Sequence, residues 1–149
     1  MSTRRRAREV ALQVLFQFDL NPAAVAVDFG PFLRARLRLP PLVTFARALI
    51  EGVGEERDRI DALLDLRSEH WRISRMAATD RAVLRLAVYE LAQSETPSAV
   101  IVDEAIELAR RYGGAGSPAF VAGILGRCLN DRSQLRQAFE VPAAADADD

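Results

Sequence analysis

Apolar residues return every three or four positions through almost the whole of this chain, and nowhere do they alternate with polar ones over the length of a strand. A period near 3.6 builds helices that each bury one stripe, so the pattern commits the chain to helix-on-helix packing. Helix breakers divide it. A run from about Arg4 to Asp19 stops at Asn21-Pro22, and a shorter one, PFLRARLRL, stops at Pro40-Pro41. The segment LVTFARALIEGVGEERDRIDALLDL reads as one long helix, with Phe45, Leu49, Val53, Ile60, Leu63 and Leu64 near one face and Gly52 and Gly54 as weak points. Thr79 or Asp80 is the expected N-cap of DRAVLRLAVYELAQ, and Pro97-Ser98 introduces SAVIVDEAIELARRY, which closes on Gly113. Ser117 and Pro118 read as N-cap and first residue of PAFVAGILGRCLN, and a last short helix is expected from Ser133 to Phe139. The expected fold class is all-α, a compact bundle of about seven helices. One domain would span 1–140, with helical subdomains of about 1–68 and 76–140 meeting near Ser68 to Ala78. The tail 141–149 is acidic and alanine-rich and is expected to be disordered.

Catalytic and metal chemistry has little to work with. A chain of 149 residues can build a core without disulfides or metals. Its single cysteine, Cys128, allows no disulfide and no cysteine-based zinc site, and its single histidine, His70, excludes a multi-histidine centre. His70 lies in the polar link LRSEHWRIS without a nucleophile motif around it, and a structural role is expected for it. The stretch GGAG, Gly113 to Gly116, follows no strand and lacks the lysine of a phosphate loop, so it reads as a helix C-cap and hinge. No enzyme activity, metal or cofactor is expected. No apolar run approaches the roughly 18 residues of a membrane span, and the basic start lacks the continuous apolar stretch of a signal peptide. The expected location is the cytoplasm, with no membrane partner.

The distribution of charge says more than its sum. The formal net charge is −1, yet four acids and no base lie in the last ten residues, which leaves the rest of the chain basic. Every basic residue is arginine, whose planar fork suits phosphates and base faces better than the ammonium of lysine does. Arg4, Arg5, Arg6 and Arg8 open the first helix. On a helical wheel Ala7, Val10, Ala11, Val14 and Phe18 gather on one side with Leu15 at its margin, whereas Leu12 and Phe16 fall opposite, beside Arg5, Arg8 and Glu9. Either this helix is packed on two sides, or these residues form a recognition surface. Guanidinium groups beside an accessible ring fit single-stranded nucleic acid, since cations neutralise phosphates and a ring stacks an unpaired base. A second basic cluster, Arg34, Arg36 and Arg38, reads as a solvated helix face or a secondary RNA contact.

Four blocks sharpen this reading: RRRAREVALQVLFQFDL, then WRISRM with DRAVLRLAVYEL, then PSAVIVDEAIELARRYG, then SPAFVAGIL. Together, in this order and spacing, the chain resembles the NusB family of transcription antitermination factors, over nearly its whole length except the tail and the Asn21 to Pro41 region. The resemblance implies an all-helical, non-catalytic protein that binds boxA-type single-stranded RNA together with the ribosomal protein NusE. That complex joins the RNA polymerase elongation complex on ribosomal RNA operons. Arg4, Arg5, Arg6 and Arg8 match the family's RNA-contacting start, and Phe16 matches a position usually held by tyrosine, so the ring is kept and a hydroxyl lost. Asp80 and Arg81 match the charged start of a helix on the NusE-facing side. The family occurs as monomers and as homodimers, so a homodimer is a further expected partner. Three positions depart from the family pattern: Ala122 where FVNG has asparagine, Gly126 where an acid is common, and Asp103 where INEA has asparagine. If that asparagine serves helix packing, alanine beside Gly123 would allow closer approach of a neighbour; if it shapes a binding surface, function has drifted. The alternative is therefore a diverged NusB-fold protein-interaction module without boxA binding. The resemblance also extends to the N-terminal domain of ribosomal RNA cytosine methyltransferases, though the chain is expected to have no room for a catalytic domain after its last helix. An unrelated helix-turn-helix DNA binder is disfavoured by the four blocks and by the net acidity.

Overall fold

The computed structural model describes residues 3–23, 28–68, 71–129 and 132–140, and the expectations for His70 and for the 141–149 tail fall outside them. Eight α-helices and no strand occur among the described residues. In chain order they are α1 (Arg4–Leu20), α2 (Gly30–Leu37), α3 (Pro40–Glu55), α4 (Arg57–Arg67), α5 (Ala78–Gln93), α6 (Ser98–Tyr112), α7 (Ser117–Leu129) and α8 (Arg132–Glu140). A 3-10 turn at Ile73–Arg75 leads into α5. None of the helices searched is long and apolar enough to cross a membrane.

The extra helix comes from the long third segment, which breaks in two at Glu56 (φ −100°, ψ 10°). The two glycines expected to be weak points differ in role. An added Cβ at Gly54 would meet nothing, whereas at Gly52 it would lie 2.1 Å from the Tyr89 ring, so Gly52 lets α3 and α5 approach closely. Proline opens both α2 and α3, where the missing N–H is not needed. Between them Arg38 adopts φ 65°, ψ −40°, and the Leu39 N–H bonds the Leu37 carbonyl at 2.6 Å. This is the classic γ-turn, a strained conformation for a residue with a side chain.

The expected caps are partly corrected. Helix α5 starts at Ala78 behind Ala77, so Thr79 and Asp80 lie inside its first turn and do not cap it. The Ser117 hydroxyl accepts the Gly114 N–H at 3.0 Å, tying down the turn between α6 and α7. Gly113 is the C-cap of α6, and a Cβ there would fall 2.4 Å from the Ser117 hydroxyl oxygen. A cap that sequence inspection overlooked is Thr3, whose hydroxyl accepts the Arg6 N–H at 3.3 Å at the start of α1.

The buried apolar residues form one continuous core. Helix α5 is its axis and packs against α1, α3, α4, α6, α7 and α8. Residues 82 to 88 of α5 are all buried, as are residues 7 to 12 of α1. Both helices are enclosed on every side over those stretches, which is why a one-stripe reading fails there. Leu12 is consequently core.

Candidate nucleic-acid interface

The first turn of α1 carries no acid, so its arginines stand at the positive end of the helix dipole. The structure then separates the four. Arg4 is exposed, and its guanidinium carbon lies 4.6 Å from the centroid of the Phe45 ring. Arg5 is exposed and donates to both oxygens of Glu104 on α6, the shortest contact being 3.0 Å. That carboxylate, by hydrogen bond and by charge, raises the Arg5 pKa above its ordinary value. Arg6 is half-buried and 3.8 Å from Glu9. Arg8 is withdrawn: it is 5% exposed and donates through Nε and Nη2 to the two oxygens of Glu90 at 2.7 and 2.8 Å. Arg8, expected among the RNA contacts, thus has its side chain folded between α1 and α5 with its donors directed at Glu90.

Glu9 is the hub of the adjoining surface. Besides Arg6, it takes a hydrogen bond from Arg111 at 3.1 Å and from the Tyr112 hydroxyl at 2.7 Å. Burial, followed by that bond to Glu9, pushes the phenol pKa up, so Tyr112 stays a neutral donor. One ring is thereby fixed at the C-terminal end of α6. Opposite it, Phe16 is half-buried and lines an open groove of about 290 Å³ with Leu12, Gln13, Gln17, Thr79 and Tyr112. The groove is mostly apolar with amide groups along its α1 side. It suits a flat, polar-edged group.

Asp80 and Arg81 turn out to face inward. Asp80 is 8% exposed, and its Oδ1 has no hydrogen-bond partner. Arg81 donates to Asp19 through Nη2 at 2.6 Å and Nε at 2.9 Å, and to the Met76 carbonyl at 3.0 Å. Asp19 also receives Arg57 at 3.1 Å and Arg85 at 3.2 Å, and Arg85 in turn pairs with Asp61 at 2.8 Å. This network clamps the end of α1 to α4, α5 and the 3-10 turn. Of the two residues that the resemblance places on a partner-facing side, Arg81 is engaged inside the fold, whereas Asp80 is buried with one carboxylate oxygen unpaired. Two large apolar side chains are exposed nearby, among the charged Asp65, Arg72 and Arg75. Trp71 and Leu66 are 52% and 77% exposed, and Trp71 meets Phe120 edge-on with ring centroids 6.4 Å apart.

Of the three departures, Asp103 and Gly126 are exposed and Ala122 is half-buried. A Cβ at either Gly123 or Gly126 would meet nothing, so neither glycine serves a close helix approach. Among the described residues no cluster of side chains could hold a metal ion.

The family model described as NusB family matches residues 5–130. The transcription antitermination protein NusB of Myxococcus xanthus is 42% identical over 132 residues, which cover 85% of this chain and 94% of that protein. The solved structure of T. maritima NusB is 36% identical, covers 95% of this chain and 100% of that one, and superposes with a TM-score of 0.79. A complex of the antitermination factors NusB and NusE with double-stranded RNA contains a chain that is 22% identical. It covers 91% of this chain and 96% of that one with a TM-score of 0.68, a likeness of fold. With a family match over most of its length and a relative this similar over nearly all of it, the chain belongs to the NusB family of transcription antitermination proteins.

Proposed function

We propose that the start of α1 and the Phe16 groove bind boxA-type single-stranded RNA, and that the chain acts in antitermination with a NusE-type ribosomal protein and RNA polymerase. The observation that carries this is the division of labour along α1: Arg4, Arg5 and Arg6 precede the buried stretch and are left outside the core, while Phe16 and Tyr112 flank an open groove farther along the same helix. Guanidinium groups take phosphates and the rings stack a base, the combination single strands require. Support for RNA and NusE binding in general also comes from the NusB-fold chain that was crystallised with NusE and double-stranded RNA. The NusE-type partner is placed on the exposed Leu66 and Trp71, large apolar side chains left in solvent, in preference to Asp80 and Arg81, which are drawn into the fold.

One observation favours the second reading, an interaction module without boxA binding. Arg5 and Arg6 already face Glu104 and Glu9, and Arg8 is buried, so the arm offers less net charge than its four arginines suggest. The deciding experiment measures binding of labelled boxA-type RNA and a scrambled control, with and without the NusE-type partner, at stated salt. Preference for boxA that tightens with the partner, with a logarithmic salt slope of about −2 for three phosphates, is the expected result. Equal and weak binding of both RNAs by folded protein in both conditions would support the module instead.

A further inference from the structure

Helix α2 lies in the part of the chain where the sequence resemblance is weakest, yet its surface continues the one just described. A second open groove, of about 560 Å³, runs between α1 and α2 and is lined by Gln13, Gln17, Asp28, Phe29, Phe32 and Arg36. Gln13 and Gln17 line the Phe16 groove as well. They stand one helical turn apart, so they form a ridge of two amides with an aromatic groove on either side. Beyond the ridge the Arg36 guanidinium carbon lies 4.8 Å from the centroid of Phe32. Arg34, Arg36 and Arg38 are all exposed, and α2 contains no acid. Among the described residues none of the three makes an ion pair, in contrast to Arg5 and Arg6 on the arm. The one carboxylate at the groove, Asp28, uses its Oδ1 to accept the Gly30 N–H at 2.9 Å.

We infer that the α1–α2 groove is a second stacking site for the same RNA strand, a site that rests on the RNA reading of α1. A base seats against Phe32, the Arg36 guanidinium engages the adjoining phosphate, and the amides of Gln13 and Gln17 bond base edges as the strand crosses the ridge from Phe16. The chemistry selects the ligand. Apolar rings alone would suit a protein partner, but an unpaired guanidinium over a ring, next to amides that both donate and accept, suits an unpaired nucleotide. The site therefore takes nucleotides that extend beyond those held by Arg4 and Phe16.

The test is a length series of boxA-type single-stranded RNA, extended by uridines at either end, titrated by fluorescence anisotropy at fixed salt. The proteins are wild type, Phe32→Leu, Arg36→Gln and Arg4→Ala/Arg6→Ala. Wild-type affinity should climb with length. Phe32→Leu and Arg36→Gln should each lower affinity about five- to tenfold on the long RNAs and leave the shortest unchanged, as expected for one stacked base and one phosphate. Arg36→Gln should also reduce the salt slope on the long RNAs by about 0.7. Arg36 is exposed, so this variant tests the site even where Phe32→Leu loosens the fold. Effects that are equal at every length, or absent on the long RNAs, overturn the inference. If Arg4→Ala/Arg6→Ala weakens every RNA while the α2 variants bind like wild type, the second site alone fails. If the arm variant binds every RNA as wild type does, the RNA reading of the arm fails with it.

Discussion

Replacing Arg8 with alanine separates an arginine that binds RNA from one that holds the fold. Its guanidinium sits between α1 and α5, paired through two nitrogens with Glu90, whose side chain is 3% exposed. Burial works against the charge of Arg8, but the hydrogen bond and charge of Glu90 outweigh it and raise the pKa above the ordinary value. Removing Arg8 leaves the Glu90 carboxylate desolvated and unpaired. Breaking a buried pair from one side typically costs about 3–5 kcal/mol. For a domain of this size that is a fall in melting temperature of roughly 6–20 °C. The double variant Arg8→Met/Glu90→Leu should recover most of the loss, because an apolar pair of similar volume is often as stable as the ions it replaces. Arg4→Ala should behave in the opposite way, losing only the roughly 0.5–1 kcal/mol of an exposed cation–π contact with Phe45 while weakening RNA binding. The assay is thermal unfolding by circular dichroism alongside RNA anisotropy at a temperature where every variant is folded. An Arg8→Ala protein that melts within a degree or two of wild type but binds RNA several-fold more weakly would refute the reasoning, because Arg8 would then have to face solvent.

Three other perturbations test neighbouring features. Burial alone would raise the Asp19 pKa, yet hydrogen bonds from Arg81 and Arg85 hold it below the ordinary 3.8. Its contribution is therefore complete above that value and lost as the pH falls through the lower folded one. The urea midpoint of wild type should exceed that of Asp19→Asn at about pH 7 and converge on it as the pH falls below 3.8, whereas a constant gap would mean that the carboxylate charge is irrelevant. Gly52→Ala should destabilise by about 1–3 kcal/mol through its clash with Tyr89, and Tyr89→Leu added to it should restore part of the loss; an unchanged denaturation midpoint for the single variant would show that α3 can shift freely. Glu104→Gln should free Arg5 and tighten RNA binding a few-fold at low salt, a gain that fades at high salt; weaker binding would mean that Glu104 orients Arg5 for the RNA instead of competing for it.

The elements were legible wherever period and punctuation agreed. Helix α6 runs over the residues that the sequence outlines, Ser98 to Tyr112, because proline precedes it and glycine follows. The break at Glu56 was hidden, since the apolar period continues through it and only the packing of α3 and α4 on different neighbours requires a turn there. Site residues were harder to read for a related reason. On a helical wheel Arg8 sits beside Arg5, and nothing local distinguishes them; the difference is Glu90, 82 positions away. The same holds for Arg81, whose partner Asp19 is 62 positions distant. One signal was available. Arg85 and Glu90 are embedded in the apolar run of α5, and a charge placed in such a run must find an opposite charge elsewhere in the chain. Asp19 and Glu90, the carboxylates that meet this need for Arg85 and Arg8, could have been sought on those grounds.

The arm therefore differs from what its composition suggests, and the difference bears on how RNA would be chosen. Four arginines in five residues imply strong, indiscriminate attraction to any polyanion. In the folded protein one of them is buried on Glu90 and two face the carboxylates of Glu104 and Glu9, so an incoming phosphate must displace an acid at Arg5 and Arg6. Exchange of one anion for another gains little, because both states pair the same guanidinium. Charge then gives the arm modest affinity and little selectivity. On the proposed reading, discrimination has to come from groups that bond base edges, the amides of Gln13 and Gln17 between the two grooves, while the rings of Phe16 and Tyr112 add stacking that any base can use. Variants of Gln13 and Gln17 should therefore change which RNA is preferred, whereas variants of the rings and of Arg4, Arg5 and Arg6 should lower affinity for all RNAs alike.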